Sequence, residues 1–387
     1  MATTFSTSSR SSLANIERFW GYLFIAAPLI GFVIFAALPM IASIFISFSK
    51  WDLLTAPQWV GMKNWQDVLS LSVVQVPPMT DAATSEALYR CGRETVLASQ
   101  IGDYEGTTDP RTKQPITCVP RYTVVTEVFP EGYKPWFDAT IAGNLYAVGA
   151  RDPVLWEGLF NTVFLMLGIP ISMFISLILA IALNQKIHGS SVFRAIYYLP
   201  VILPIAATAL IWLWIFNPDF GLLNYILGQL GLPAGTNWLQ DRTTVKSALI
   251  IMGVWGGLGF QMLIYLAGLQ GIPSHLYEAA ELDGAGLVAK FRYVTWPSLS
   301  PTTFFLLVTG MIGGFQNFVQ PYIMTAGGPG NASRTIVMLI YENAFRDLQM
   351  GYASTQAWFL GVIIMIITVI NFLLARRWVF YEGDAEG

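Results

Sequence analysis

The stretch LYEAAELDGAG, Leu276–Gly286, puts three acids into eleven residues between two of the most apolar runs in the chain. What those acids face depends on where the runs place them. The chain has 387 residues, 54% of them hydrophobic and 12% charged, with a mean hydropathy of +0.54. A soluble domain carries about 25% charged residues. Long uncharged apolar runs instead predict bilayer-spanning helices of about 20 residues each. Six such runs occur, at 19–48, 154–184, 195–216, 244–270, 301–323 and 352–375. The first far exceeds the core of a secretory signal, about 7–15 residues, and no small-x-small site closes it, so it reads as a retained helix.

Lysine and arginine set the orientation. With the N-terminus inside, Arg10, Arg18, Lys186, Arg194, Lys290, Arg292, Arg376 and Arg377 face the cytoplasm, while the short outer loops carry only Arg242, Lys246, Arg334 and Arg346. Both terminal tails, 1–18 and 376–387, are thereby expected inside. The Ser/Thr-rich first dozen residues read as disordered. The acidic stretch then falls in the cytoplasmic loop 271–300, between the fourth and fifth spans. Pro273 and Ser274 begin a helix there, with Ser274 as N-cap. Leu276, Ala279 and Ala280 share one face, and Glu278 and Glu281 point elsewhere. Gly284 and Gly286 allow a sharp turn, and a second short helix, Leu287 to Tyr293, leads back towards Pro297. A small acidic helix–turn–helix of this kind suits docking into another protein; the plainer alternative is an interfacial linker.

One segment departs from the apolar pattern. Within 49–153, an outer loop by this topology, residues from about 71 to 149 are polar and turn-rich and read as a small mixed subdomain. RYTVVTEVF (121–129) alternates as a strand does. Cys91 and Cys118, the two cysteines of the chain, both lie there. An oxidising compartment would favour a disulfide between them.

Several classes are disfavoured. A net charge of -3 without a basic cluster argues against nucleic acid. His188 and His275 stand far apart without an HExxH, and two cysteines cannot build a zinc site alone, so no metal site is expected. No nucleophile–base pair suggests an enzyme, and no catalytic residue is assigned. The absence of any Gly-Lys pair excludes a Walker A loop, so any ATP must bind another chain. A stand-alone secondary transporter or channel would need a central carboxylate to couple ions, and the second to sixth spans hold none.

EAAELDGAG followed by WPSLSP resembles the coupling loop of binding-protein-dependent ABC import permeases, with Trp296 standing where leucine is usual before Pro297. Other segments resemble the sugar branch of that family, the maltose and glycerol-phosphate type: FRAIYYLPVILPIAATALIWLWIF (193–216), WVGMKNW (59–65), DPVLWEGLFNTV (152–163), TAGGPGNAS (325–333) and MGYAST (350–355). The resemblance implies an all-α polytopic membrane protein with six transmembrane helices, a permease core over 154–375, and residence in a bacterial or archaeal plasma membrane. It implies that Glu278, Ala279, Ala280, Asp283 and Gly284 engage an ATPase subunit, Glu278 pairing with a basic group and Gly284 acting as hinge. The partners implied are a second homologous permease, two ATPase subunits holding ATP and Mg, an outer substrate-binding protein and membrane lipid. No cofactor is expected in this chain. About 80 extra residues separate segments that the family keeps close together, which leaves the role of this extracytoplasmic insert open.

Polar side chains within spans usually face a cavity. Gln261 in the fourth span and Gln316, Asn317 and Gln320 in the fifth are such candidates, and glycines at 253, 256, 257, 259, 310, 313 and 314 thin the same helices. Close helix packing is the alternative reading of the glycines. Aligned by motif to the maltose-type permease, sugar contacts fall at Gly253, Gly256, Gly257, Phe260, Gly310, Gly313 and Asn317. Amides and aromatic faces suit an uncharged polyhydroxylated ligand, expected to be an oligosaccharide or disaccharide; a polyol or a phosphorylated glycerol is the alternative cargo. The expected contacts are hydrogen bonds from Asn317 and Gln261, with the Phe260 ring stacked on the sugar.

Overall fold

The computed structural model describes residues 8–91, 94–104, 107–108, 115–123, 125–141, 144–185 and 188–380. Lys186, used above for orientation, the first seven residues and the last seven lie outside the described residues. The chain divides into two units. One comprises residues up to Gln66 with Ile340–Phe359, the other Asp67–Leu339 with the residues from Leu360 on.

In the first unit, helix α1 runs from Ser8 to Phe32, through a π turn at Val33–Ala37, to Ser47. The chain is therefore already helical at Ser8, within the Ser/Thr-rich start. The π turn precedes Pro39, whose ring and missing N–H disturb the helical ladder one turn back. The stretch Glu17–Ser47 is apolar and most of its large side chains are exposed, as suits a helix solvated by lipid. Behind it, two distant motifs meet. Asn64 donates to the carbonyls of Ser47 and Ser49 at 2.9 and 3.0 Å, Thr355 donates to Ser47 at 2.9 Å, and Gly351 lies so close to the Ser49 carbonyl that no side chain would fit.

The second unit holds the other spans. Helix α2 covers Pro153–Asn184 with a break at Met166–Leu167; its first turn is capped by Asp152, which accepts from the Leu155 amide at 3.1 Å. The expected span 195–216 is not one rod. It forms α3, Ser190–Ile202, and α4, Ile205–Ile215, at 101° to each other. Pro204 drives Leu203 to an extended conformation (ψ 136°), which ends α3. Leu222–Gln229 (α5) leads to the long straight α6, Val245–Gln270.

Helices α2 and α6 pack along a stripe of Met173, Leu177 and Ala180 against Met262, Tyr265, Leu266 and Leu269, spaced by three or four residues as one helical face requires. Lipid tails are as apolar as leucine, so this packing gains through close dispersion contact rather than through burial from water. The Tyr197 carbonyl of α3 sits against Gly259 of α6 at a distance that no Cβ would allow.

The cytoplasm-assigned loop holds α7, Ser274–Leu282, and α8, Leu287–Ser298, the latter longer than expected. A second π turn, Phe291–Thr295, precedes Pro297 as the first precedes Pro39. Helix α9, Ser300–Phe315, lies at 58° to α8. It stops at Gln316, so the expected span 301–323 is broken, and α10 resumes at Val319–Thr325. A short α11, Ile336–Tyr341, precedes α12, Met350–Ala375. At 1.5 Å per residue the 26 residues of α6 or α12 reach about 39 Å, enough to cross a hydrocarbon core of about 30 Å. Among the described residues, four helices are long and apolar enough to span, or up to six if each bent pair makes one span.

The polar segment is a mixed structure. Strands β1 (Leu71–Val76), β5 (Lys134–Ile141) and β6 (Asn144–Ala150) form an antiparallel sheet with β6 in the middle. Strands β2 (Leu88–Cys91), β3 (Glu94–Leu97) and β4 (Cys118–Pro120) form a second, with β2 in the middle. Cys91 and Cys118 face each other across β2 and β4 and form a disulfide. The alternation of RYTVVTEVF is misleading. Val125–Val128 is a helical turn, and Tyr122 lies at an isolated bridge to Pro78 outside the named strands, where proline offers no N–H to extend a ladder. That turn instead lays Val128 and Phe129 over Val76, Leu145 and Ala147. The Phe129 ring fills the space above Gly149, 2.5 Å from where a Cβ would be. The sheet rests on α2 through Trp136 beside Trp156, ring centroids 5.9 Å apart, and Arg151, just past β6, pairs with Asp67, just before β1, at 2.7 Å. The Asp67 carboxylate holds the Arg151 guanidinium above its ordinary range.

Candidate substrate cavity and coupling loop

Where α9 breaks, a cavity of about 600 Å³ opens among α2, the α3–α4 bend, α6 and α9–α10. Its lining includes Gly253, Gly256, Gly257 and Gln261 of α6 together with Gly310, Gly313, Gln316, Asn317 and Gln320. Phe260 is not among the lining residues. It is 45% exposed, and the next residue along α6, Gln261, does line the cavity.

The amides are less free than their positions in sequence suggest. Gln261 Oε1 accepts from Ser172 at 2.6 Å, with Ser176 3.4 Å away, which leaves Nε2 to face the cavity. Gln320 is buried and spends its Nε2 on the Leu249 carbonyl at 2.6 Å, while its Oε1 receives Asn317 Nδ2 at 3.3 Å. Asn317 Oδ1 remains available. Gln316 is exposed, and its side chain makes no hydrogen bond among the described residues. No lining residue is ionisable.

Sequence reading missed the walls from α2 and the bend: Met166, Ile169, Ser172, Pro200, Leu203 and Thr208. Ser172 carried a signal, since a hydroxyl inside an apolar span seeks a partner. The glycines divide into two kinds. A Cβ at Gly256 or Gly313 would meet nothing within 4 Å, whereas at Gly257 it would come within 2.8 Å of Ser172 Oγ, and at Gly310 within 3.0 Å of Ile169.

At the other candidate site, Pro273 rather than Ser274 occupies the N-cap of α7; Ser274 is the first helical residue, and the cap makes no side-chain hydrogen bond. Gly284 has φ +77° and carries the turn, as only glycine does cheaply. Gly286 is extended (φ −73°, ψ 176°) and contributes no left-handed turn. Glu278, Ala279 and Asp283 are exposed and Ala280 is half-buried. Glu281 is exposed too but already pairs within the loop, with Lys290 at 2.5 Å, unlike Glu278 and Asp283. Tyr277 bonds Thr295 at 2.9 Å and ties α7 to α8. Beside the acids, Leu282, Leu287 and Val288 are almost fully exposed, at 91%, 87% and 81%.

Comparison with known proteins agrees with this architecture. The family model described as "Binding-protein-dependent transport system inner membrane component" matches residues 162–379. The Bacillus subtilis protein named "Probable ABC transporter permease protein YesP" is 31% identical, covering 95% of this chain and 93% of that protein. The lactose transport system permease protein LacF of Rhizobium radiobacter is 35% identical over 61% of this chain and 80% of its own. A crystal structure of a bacterial ABC transporter involved in the import of the acidic polysaccharide alginate shares the fold, with a TM-score of 0.62 at 18% identity over 95% of this chain and 99% of that one. With a family model over more than half of its length and a relative of matched extent, the chain belongs to the inner-membrane components of binding-protein-dependent transport systems, as a multi-pass ABC importer permease subunit and not an enzyme.

Proposed function

We propose that this permease carries an uncharged saccharide, of disaccharide to oligosaccharide size, through the cavity between α6 and α9. The observation that carries this reading is the polar part of the lining: amides, hydroxyls and bare glycine backbone set among apolar side chains, with no ionisable side chain among the described lining residues. Such a surface can exchange hydrogen bonds with sugar hydroxyls and offers an anion no countercharge. The alginate transporter shares the fold, and a fold does not fix the cargo. The name of the lactose permease supports a neutral sugar. Asn317, Gln316 and Gln261 are the proposed hydrogen-bond partners, with Gly253, Gly256, Gly257, Gly310 and Gly313 leaving room and Gln320 holding Asn317 in place.

The chain would work with a second permease, two ATPase subunits holding ATP and Mg, and an outer binding protein. The loop α7–α8 would enter an ATPase subunit, Glu278 and Asp283 meeting basic groups and Leu282, Leu287 and Val288 an apolar cleft. Closure of the ATPases around ATP then moves this loop, and α6 and α9 with it, between states whose contacts differ. In this reading the six spans place both termini in the cytoplasm and the insert outside.

Proteoliposomes holding the complete transporter test this, with the companion binding protein and lactose, maltose, sucrose or trehalose as cargo. ATP-dependent uptake of at least one disaccharide is expected, and Glu278→Lys should abolish it while the binding protein still binds sugar. Uptake of glycerol phosphate alone, or unimpaired uptake by Glu278→Lys, would count against the reading.

A further inference from the structure

Asn317 sits in the break between α9 and α10, where its backbone is poorly held. In an unbroken helix the amide of residue 321 would bond the carbonyl of residue 317, but residue 321 is Pro321 and has no N–H. The orphaned carbonyl accepts instead from the Thr335 hydroxyl, at 2.9 Å. Thr335 is fully buried, so this bond replaces what water cannot supply.

Thr335 itself is fixed from three sides. The next amide, of Ile336, donates to Thr162 Oγ1 at 3.1 Å; Asn161 Nδ2 donates to the carbonyls of Asn331 and Arg334 at 2.8 and 3.0 Å; and Ser333 Oγ closes the loop onto the Gly328 carbonyl at 2.6 Å. The loop Ala326–Thr335 takes four left-handed residues, Ala326, Gly327, Gly330 and Asn331, to reach this shape. Arg242 also reaches the Gly330 carbonyl at 3.0 Å. The polar segment TAGGPGNASRT thus folds into a rigid block whose last hydroxyl touches the backbone of a cavity residue.

We propose that Thr335 is a positioning residue for transport, setting through the Asn317 carbonyl the direction in which the Asn317 side-chain amide meets the cargo. This rests on the cavity being the sugar path. A hydroxyl outside the cavity thereby decides where a cavity amide points, and the block around it holds that direction against the freedom of a broken helix.

The experiment is a double-mutant cycle in the complete transporter, reading ATP-driven uptake of the best-carried disaccharide of the four named above. Thr335→Val keeps the shape and removes the hydroxyl. It should lower uptake about fivefold, the worth of one neutral hydrogen bond, and cause little further loss when Asn317 is already alanine. Thr335→Ser should restore uptake to within about twofold, a rescue that a mere packing role would not give. Equal losses from Thr335→Val in both backgrounds, no loss at all, or failure of the valine variant to assemble would overturn the inference. Should Asn317→Ala abolish uptake outright, the serine rescue decides. Normal uptake by Asn317→Ala alone would remove the cavity reading itself. A loss there without one in Thr335→Val would remove only the role of Thr335.

Discussion

Gly256, Gly259 and Gly313 look alike in sequence and stand in different surroundings. A side chain at Gly256 or Gly313 would project into open space, while one at Gly259 would strike the Tyr197 backbone. Gly256→Leu and Gly313→Leu should therefore assemble normally and narrow the cavity, and uptake of a trisaccharide should fall at least about tenfold while a disaccharide loses less. Gly259→Leu should instead reduce recovery of the assembled complex, since overpacking of a close contact costs about 1–3 kcal/mol or more. Comparing complex yield with the size dependence of uptake separates the two outcomes. Residue type revealed which positions were unusual, because amides and glycines stand out against an apolar span. It did not reveal what each faces: Phe260 has a suitable type but does not line the cavity as Gln261 beside it does, and Ser172 has no motif around it.

Among the elements, the long straight helices were legible because their apolar runs exceed any alternative, and the breaks were legible only in part. Pro204 and Pro297 are visible breakers, yet a 101° bend leaves the same apolar composition as a straight rod, so hydropathy merges its halves. The strand expected at 121–129 failed for a related reason. Alternation of β-branched residues is shared by any segment with one covered face, and the neighbouring prolines denied it a ladder. The disulfide was legible from cysteine count and compartment alone. It closes a loop of 27 residues, which by chain entropy stabilises the insert by about 3.5 kcal/mol. Cys91→Ser with Cys118→Ser should thus leave an insert that trypsin cuts far faster, at Arg90 or Arg121 among others, while spans buried in lipid stay protected. Equal digestion rates for the paired and unpaired proteins would show that the sheets hold without the bond.

For the whole molecule, the orientation expected from charge and hydropathy together can be read in intact cells. Asp138 is exposed on β5, and Arg377 is exposed just past α12. With both native cysteines bonded to each other, Asp138→Cys should react with a membrane-impermeant maleimide at once. Arg377→Cys should react only after the membrane is opened. The reverse pattern would invert the assignment of the ATPase-facing loop and of the cavity mouth together. The pairing of distant motifs also belongs to this scale. WVGMKNW meets MGYAST in one unit, and DPVLWEGLFNTV meets TAGGPGNAS in the other, contacts between segments far apart in the chain that no local pattern discloses. Finally, Leu71 and Ala150 are paired neighbours in one sheet, about 5 Å apart as antiparallel partners are. Everything between them is an excursion that ends beside its own starting point. Its two ends leave and rejoin the chain at nearly one point, so the module could be exchanged or removed whole with little demand on the spacing of what precedes and follows it.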